Sequence, residues 1–218
     1  MCIRDSADTV DAFGDRSYSV LTLPLRATFD YRDDPLNATS GYYLNAELTP
    51  FVGLGGTGGG LRSYLDARYY RGLGTGEIAT FALRGQIGSV TGSALPDLPA
   101  DFLFFSGGGG TVRGQDFQSL GLPQASGLLS GGRSFIGIST ELRVRTGDRL
   151  SVVGFVDAGY VGAESFPNGS SGLWHSGAGA GIRYDTGLGP IRVDVGVPVT
   201  GPDDTSGFEA YIGIGQAF

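Results

Sequence analysis

The stretch IRVDVGVPV, residues 191–199, decides the fold. Ile191, Val193, Val195, Val197 and Val199 fall on one side of an extended chain, and Arg192, Asp194 and Gly196 on the other, because successive strand side chains point to opposite faces. The same two-residue period sets Ile136, Ile138, Leu142 and Val144 against Ser139, Glu141, Arg143 and Arg145. It also sets Leu150, Val152, Val156, Ala158 and Tyr160 against Ser151, Phe155, Asp157 and Gly159, and Leu61, Leu65, Ala67 and Tyr69 against Arg62, Asp66 and Arg68. About ten such segments are predicted, near 20–31, 41–52, 61–71, 76–88, 101–106, 133–145, 149–161, 175–186, 189–199 and 207–218, and none carries a helical period. The fold class is all-β.

A chain of 218 residues can form one such domain. Its 40 glycines far exceed the average share of roughly 7%, yet no Gly-X-Y period appears, so collagen is excluded. Charged residues make up 17% and mean hydropathy is +0.03, which fits either a compact β protein or a membrane barrel. No apolar run is long enough for a membrane helix, but a barrel strand needs only about 9–11 residues. Net charge is −7 with scattered arginines, which argues against a nucleic-acid partner. Cys2, the sole cysteine, permits neither an internal disulfide nor a Cys-based zinc site, and no metal or other cofactor is expected. The opening MCIRDSADTVDAFGDR has no apolar signal-peptide region. Residues 1–17 therefore read as a lead or fragment start outside the barrel, and 18–218 as barrel.

The segments exceed the sandwich average of about 5–6 residues and match strands that cross an outer membrane at a tilt. Charges would then face a hydrated lumen, and the valines lipid. From residue 106 onward long connections (107–132, 162–174) alternate with short ones (146–148, 187–188), as in such barrels; upstream of residue 100 the alternation is poor. Tyr42, Tyr160, Trp174, Tyr184 and Phe218 near segment ends suit an interfacial girdle or an ordinary β core.

SGGGGTVRGQDF (106–117) is not a Walker loop, because Thr111, Val112 and Arg113 follow the glycines with no helical pattern behind them. GAGAGIR (177–183) alternates as a strand and is no dinucleotide fingerprint. His175, the sole histidine, reads as a surface or interfacial residue in preference to a catalytic one. Asp33-Asp34 and Asp203-Asp204 read as turn residues. The glycosylation patterns at Asn37 and Asn168 read as chance. Arg113 has two readings. It is a solvated loop residue, or it reaches Asp157 and Glu141, both inward-facing by alternation, with a planar fork suited to carboxylates.

FFSGGGGTVRGQDFQSLG (104–121), GGRSFIGISTELRV (131–144), FVDAGYV (155–161), GAGAGIRYDTGLGPIRVDVGVPV (177–199) and IGIGQAF (212–218) occur in an order that resembles the C-terminal barrel of the bacterial surface antigen family. These are outer-membrane assembly factors that include BamA and TamA, and the wording here is closer to TamA. FDYRDDPLNATSGYYL (29–44) is similar to the family's strand-turn-strand element, with Ala38 where proline is usual. The resemblance implies an antiparallel outer-membrane β-barrel of sixteen strands behind periplasmic POTRA domains, with about ten strands present here as a fragment.

It further implies that the Val112-Arg113-Gly114 loop tucks into the barrel. There Arg113 would meet Asp157 of the Phe155-x-Asp157-x-Gly159 strand and Glu141 of the strand before it. The family's aromatic after Gly114 is replaced by Gln115, with Phe117 two residues later. In the last segment Phe208, Ala210, Ile212, Ile214 and Phe218 share one face, and the terminal Phe resembles the signal by which outer-membrane barrels are recognised for insertion. Gly213 and Gly215 would weaken that strand, which in relatives forms an unstable seam.

The implied function is non-enzymatic: an insertase in the bacterial outer membrane, in contact with outer-membrane lipid, helping client β-barrels or autotransporters, with a periplasm-spanning TamB-like partner. The alternatives are a two-partner-secretion transport pore and the barrel domain of an outer-membrane lipid hydrolase.

Overall fold

The structure, a computed structural model, describes residues 3–11, 14–54, 58–76, 78–201 and 207–218; Cys2, Asp203 and Asp204 lie outside them. Its strands are β1 (Ile3–Asp11), β2 (Gly14–Thr22), β3 (Leu25–Asp30), β4 (Gly41–Leu54), β5 (Gly59–Leu73), β6 (Ala79–Gly92), β7 (Leu122–Pro123), β8 (Leu129–Ser130), β9 (Ser134–Arg145), β10 (Leu150–Gly162), β11 (Gly172–Thr186), β12 (Gly189–Thr200) and β13 (Glu209–Ile214). One antiparallel sheet runs β1-β2-β4-β5-β6-β9-β10-β11-β12-β13, with β3 also paired to β4. Among the described residues no ladder joins β1 to β13.

The outer face is apolar over most of the sheet. Ile138, Leu142, Val152, Val156, Ile182, Val195 and Val197 are all exposed, while their alternates Ser139, Glu141, Arg143, Val153, Phe155, Asp157 and Asp194 are buried. Tyr42, Trp174 and Tyr184 join the outer face. Tyr160 is instead covered by the 163–171 connection, in tilted contact with the Trp174 ring and donating to the Asn168 carbonyl at 2.8 Å.

Successive antiparallel strands put connections 31–40, 146–149 and 187–188 at one end, and 93–133 and 163–171 at the other. In length the alternation is poor upstream of residue 100, as expected: the ten-residue 31–40 connection lies at the end of the short turns.

Four expectations are corrected. Residues 20–31 are not one strand: Pro24, which has no N–H for a ladder, separates β2 from β3, although both pair with β4. Residues 101–106 are not a strand. A single 3-10 turn (Ala100–Phe102) and two isolated bridges, Phe104 to Gly132 and Ser106 to Leu120, carry the chain inside the barrel. Residues 3–11 and 14–22, mostly assigned to a lead, pair as a hairpin of the main sheet. Lastly, the interior is not an open hydrated lumen. The 93–133 segment enters it, burying Leu98, Leu103, Phe104, Leu120 and Leu122 against Val20, Phe51, Val90, Phe135 and Val161. Burying a side chain of this kind is worth about 1.5–3 kcal/mol, so the segment's apolar residues draw it inside.

The terminal strand also differs from expectation. Ladder pairing of β13 to β12 stops at Ile214, and Gly215 takes a φ of +86°, a left-handed conformation that turns the tail. Phe208, Ile212 and Ile214 are exposed, but Phe218 is turned inward and 6% exposed.

The 31–40 turn is built by its carboxylates. Asp33 accepts the Thr39 hydroxyl at 2.6 Å and the Thr39 and Ser40 amides, and Asp34 accepts the amides of Leu36 and Asn37. Burial opposes ionisation of Asp33, but these hydrogen bonds outweigh it and hold its pKa below the usual carboxylate value. A depressed folded pKa adds stability that is complete above the unfolded value and is lost as pH falls through the folded one. Asp33→Asn is therefore expected to cost about 1 kcal/mol near neutral pH. The difference should shrink as pH falls through and below the usual carboxylate range, as read by denaturant unfolding across pH.

Candidate functional site

The site forms where the 93–133 segment crosses the inner faces of β9 to β12. Antiparallel pairing sets Glu141 opposite Phe155 and Ser139 opposite Asp157, so the two carboxylates are diagonal neighbours on one face. Arg113 enters between them. Its backbone N–H and Nε donate to one Asp157 oxygen at 3.0 and 2.7 Å, and Nη2 donates to the other at 2.9 Å. Nη1 donates to Glu141, and the guanidinium lies 3.7 Å above the Phe155 ring. Carboxylates on two strands and an aromatic floor fix a planar cation in position and direction.

The cluster is larger than the sequence reading held. Glu141 also accepts from Arg143 Nε at 2.9 Å and lies 3.7 Å from Arg183. Arg183 pairs with Asp194, and Asp194 lies 3.6 Å from Arg113. Three arginines thus face three carboxylates, and none of the six side chains is more than 6% exposed. Burial alone would lower the pKa of Arg113. The Asp157 hydrogen bonds and the Glu141 charge reverse this and raise it, so Arg113 is permanently charged.

The residues flanking Arg113 seat the loop. Val112 is fully buried, and a side chain at Gly159 would place its Cβ 2.2 Å from the Ser106 hydroxyl and 2.9 Å from Val112. Gly114, at φ +87°, lies so close to the Val197 backbone that a Cβ would sit 2.6 Å from it. Gln115 replaces the family's aromatic with hydrogen bonds instead of packing. It is fully buried, and its amide donates to the carbonyls of Ser176 and Thr200 at 2.8 and 2.9 Å, where a bulge interrupts the β11–β12 ladder. Phe117 is 80% exposed and does not take over the aromatic's place.

His175 is not a surface residue. It is 1% exposed, and its Nε2 shares a hydrogen bond of 2.8 Å with Ser106 at the root of the loop. Its Nδ1 has no partner, so the carboxylate that would orient a catalytic histidine is missing from this pair. The pair acts as a latch between loop and β11. Asn37 and Asn168 are engaged in hydrogen bonds with Gln216 and with the 168–171 turn.

Of the terminal residues, Gly213 stands opposite Arg192 and Gly215 turns the chain, while Phe218 lies among Ala38, Tyr70 and Ala82, with Arg143 of the Arg113 cluster 5.9 Å from its ring. Arg143, Arg183 and Asp194 sit on the polar face of their strands, but spacing gave no sign that they pair. Tyr211 was missed too: its hydroxyl accepts the Gly114 N–H at 3.0 Å, tying β13 to the loop.

Fold and site together define an antiparallel β-barrel sheet with an apolar outer face and an inward-folded loop locked by a buried arginine. The chain belongs to the Omp85 superfamily, whose domain model matches residues 4–218. It is similar in fold to BamA from Haemophilus ducreyi lacking POTRA domains 1–3, with a TM-score of 0.68 at 16% identity. That match covers 92% of this chain and 42% of the other, so the chain spans less than half of that structure.

Arg113→Met leaves the Asp157 charge buried without its main partner and is expected to cost about 3–5 kcal/mol. Adding Asp157→Asn should recover part of the loss, as measured by the unfolding midpoints of both variants. Gln115→Phe removes the donor shared by the Ser176 and Thr200 carbonyls and is expected to cost about 1 kcal/mol in the same assay.

Proposed function

We propose that the chain is the barrel part of an outer-membrane insertase that helps β-barrel proteins or autotransporters to assemble, of the TamA type and working with a TamB-like periplasmic partner. The observation that supports this reading is the short ladder that holds the last strand. β13 pairs with β12 only from Glu209 to Ile214, and its other edge has no ladder partner among the described residues. An open edge presents unpaired N–H and C=O groups on which an incoming strand can form hydrogen bonds. In a bilayer such groups are costly to leave unmet, which drives the pairing of a client strand.

The wall formed by β9 to β12 is pinned from inside by the Arg113 cluster, so movement is confined to the seam. The apolar outer face fits contact with outer-membrane lipid. The filled interior argues against the secretion-pore alternative, because the 93–133 segment would have to leave before a polypeptide could pass. The unoriented, buried His175–Ser106 pair gives no support to a lipid hydrolase.

Arg113→Ala in the full-length protein is expected to slow client assembly at least several-fold. The measurement is the appearance of folded client in proteoliposomes holding equal amounts of folded variant and parent. Normal assembly by the variant would refute the proposed role of the clamp.

A further inference from the structure

Just inside the end that carries the short turns lies a polar cavity of about 30 Å³, more than the roughly 10–15 Å³ that a single water needs. It is lined by Arg143 and Arg145 near the end of β9, Ser151 at the start of β10, Arg183 and Asp185 near the end of β11, and Asn37 of the 31–40 turn. Three guanidinium groups and one carboxylate therefore share its wall among the described residues.

These groups are unequally used. Arg183 is spent on Asp194 and on the Gln216 side chain. Arg143 is 5% exposed, its Nε donates to Glu141 at 2.9 Å and its Nη1 to the Ala38 carbonyl at 3.2 Å, but its Nη2 is buried with no hydrogen-bond partner. Its counter-charge is shared as well, since Glu141 also meets Arg113 and Arg183. Arg145, two residues on and on the same strand face, is exposed and has no ion pair among the described residues. Asp185 is engaged only by the Asn37 side-chain amide, at 3.4 Å. A buried charged donor left unmet is costly, on the order of 1–3 kcal/mol or more, and a cavity beside it is where a partner would sit.

We propose that this cavity binds a phosphate group, with Arg143 Nη2 and the Arg145 guanidinium as its charged donors. A phosphate has several acceptor oxygens, so it can take the Nη2–H that nothing in the chain accepts and meet Arg145 at the mouth as well. It replaces an unmet buried donor by a charge-assisted hydrogen bond, one of the stronger kinds a protein makes. Asp185 opposes the anion and limits its affinity. Seated there, the phosphate bridges β9 to the 31–40 turn, whose Ala38 carbonyl shares the same guanidinium, and so fastens the short-turn end of the barrel. Free phosphate and the terminal phosphate of a lipid headgroup offer the same chemistry. The site stands whether or not the chain acts as an insertase.

The test titrates inorganic phosphate into the full-length protein in detergent by calorimetry, in sodium chloride at fixed ionic strength, and follows the unfolding midpoint in the same solutions. Phosphate is expected to bind saturably, at about one per chain, and to raise the midpoint. Arg145→Gln, an exposed change that leaves the buried cluster intact, should weaken binding about tenfold, the worth of one charge-assisted hydrogen bond. Asp185→Asn, which removes the opposing charge, should tighten it severalfold. Arg143→Lys keeps the charge but lacks Nη2 and should abolish binding; if it fails to fold, the two rim variants still decide. Dihexanoyl phosphatidic acid separates the sources. Binding tighter than that of inorganic phosphate, and weakened in parallel by Arg145→Gln, assigns the site to a lipid headgroup, and equal or weaker binding assigns it to free phosphate. Absence of saturable binding by either probe would overturn the proposal, as would affinity that neither Arg145→Gln nor Asp185→Asn alters.

Discussion

The structure depends on one constraint: a permanently charged guanidinium placed inside a barrel must find its counter-charges there. Arg113 satisfies it with Asp157 and Glu141, and the rest of the interior arrangement follows. The two acids must be diagonal on adjacent strands, which fixes the β9–β10 register, because a slip of one strand by one residue would turn its carboxylate to the outer face. Gly159 and Gly114 must lack side chains for the loop backbone to come close enough. A buried ion network of this kind need not stabilise the protein more than a greasy core would; what it supplies is a single allowed position for the loop.

The interior is divided by polarity along its length. Near the end that carries the long connections it is an apolar core of loop side chains packed on the wall. In the middle it is the balanced cluster of three arginines and three acids, and at the far end the tail closes over it. A sheet that spends its apolar face outward cannot bury enough apolar surface inside by strand residues alone. The long segment brings the missing apolar side chains, and its arginine joins the charges left over. Arg183 connects two of these regions, since it pairs with Asp194 and also holds Gln216 of the tail.

The sequence was most legible where the period was strict. For β9 to β12 alternation gave the facing of Glu141, Asp157 and Asp194 and the strand bounds to within a few residues, because one face of each strand is committed to the outside. It was least legible where tertiary burial overrode local pattern. Phe102, Leu103 and Phe104 look like a strand but are drawn inside as an irregular segment, and a single proline splits the strand predicted at 20–31. Facing direction could nominate Arg113's partners but not the second circle of Arg143, Arg183 and Asp194, since their pairing depends on strand register across three ladders. Nor could composition show that Gln115 would replace a ring by bonding two carbonyls at a bulge, because the bulge itself arises only when β11 and β12 pair.

The unequal strength of the two sides of the barrel follows from magnitudes. Removing one partner from the buried cluster costs about 3–5 kcal/mol, whereas a single hydrogen bond contributes about 0.5–1.5 kcal/mol net. β13 has a ladder six residues long and the Tyr211 hydroxyl at Gly114 to hold it, with no charged pair among the described residues. Beyond Gly196, where β13 no longer pairs with β12, Gly114 packs directly on Val197 and covers the inner face that the last strand leaves bare. The loop therefore keeps β12 in place whether or not β13 stays paired, and the seam can open while the ion cluster remains closed.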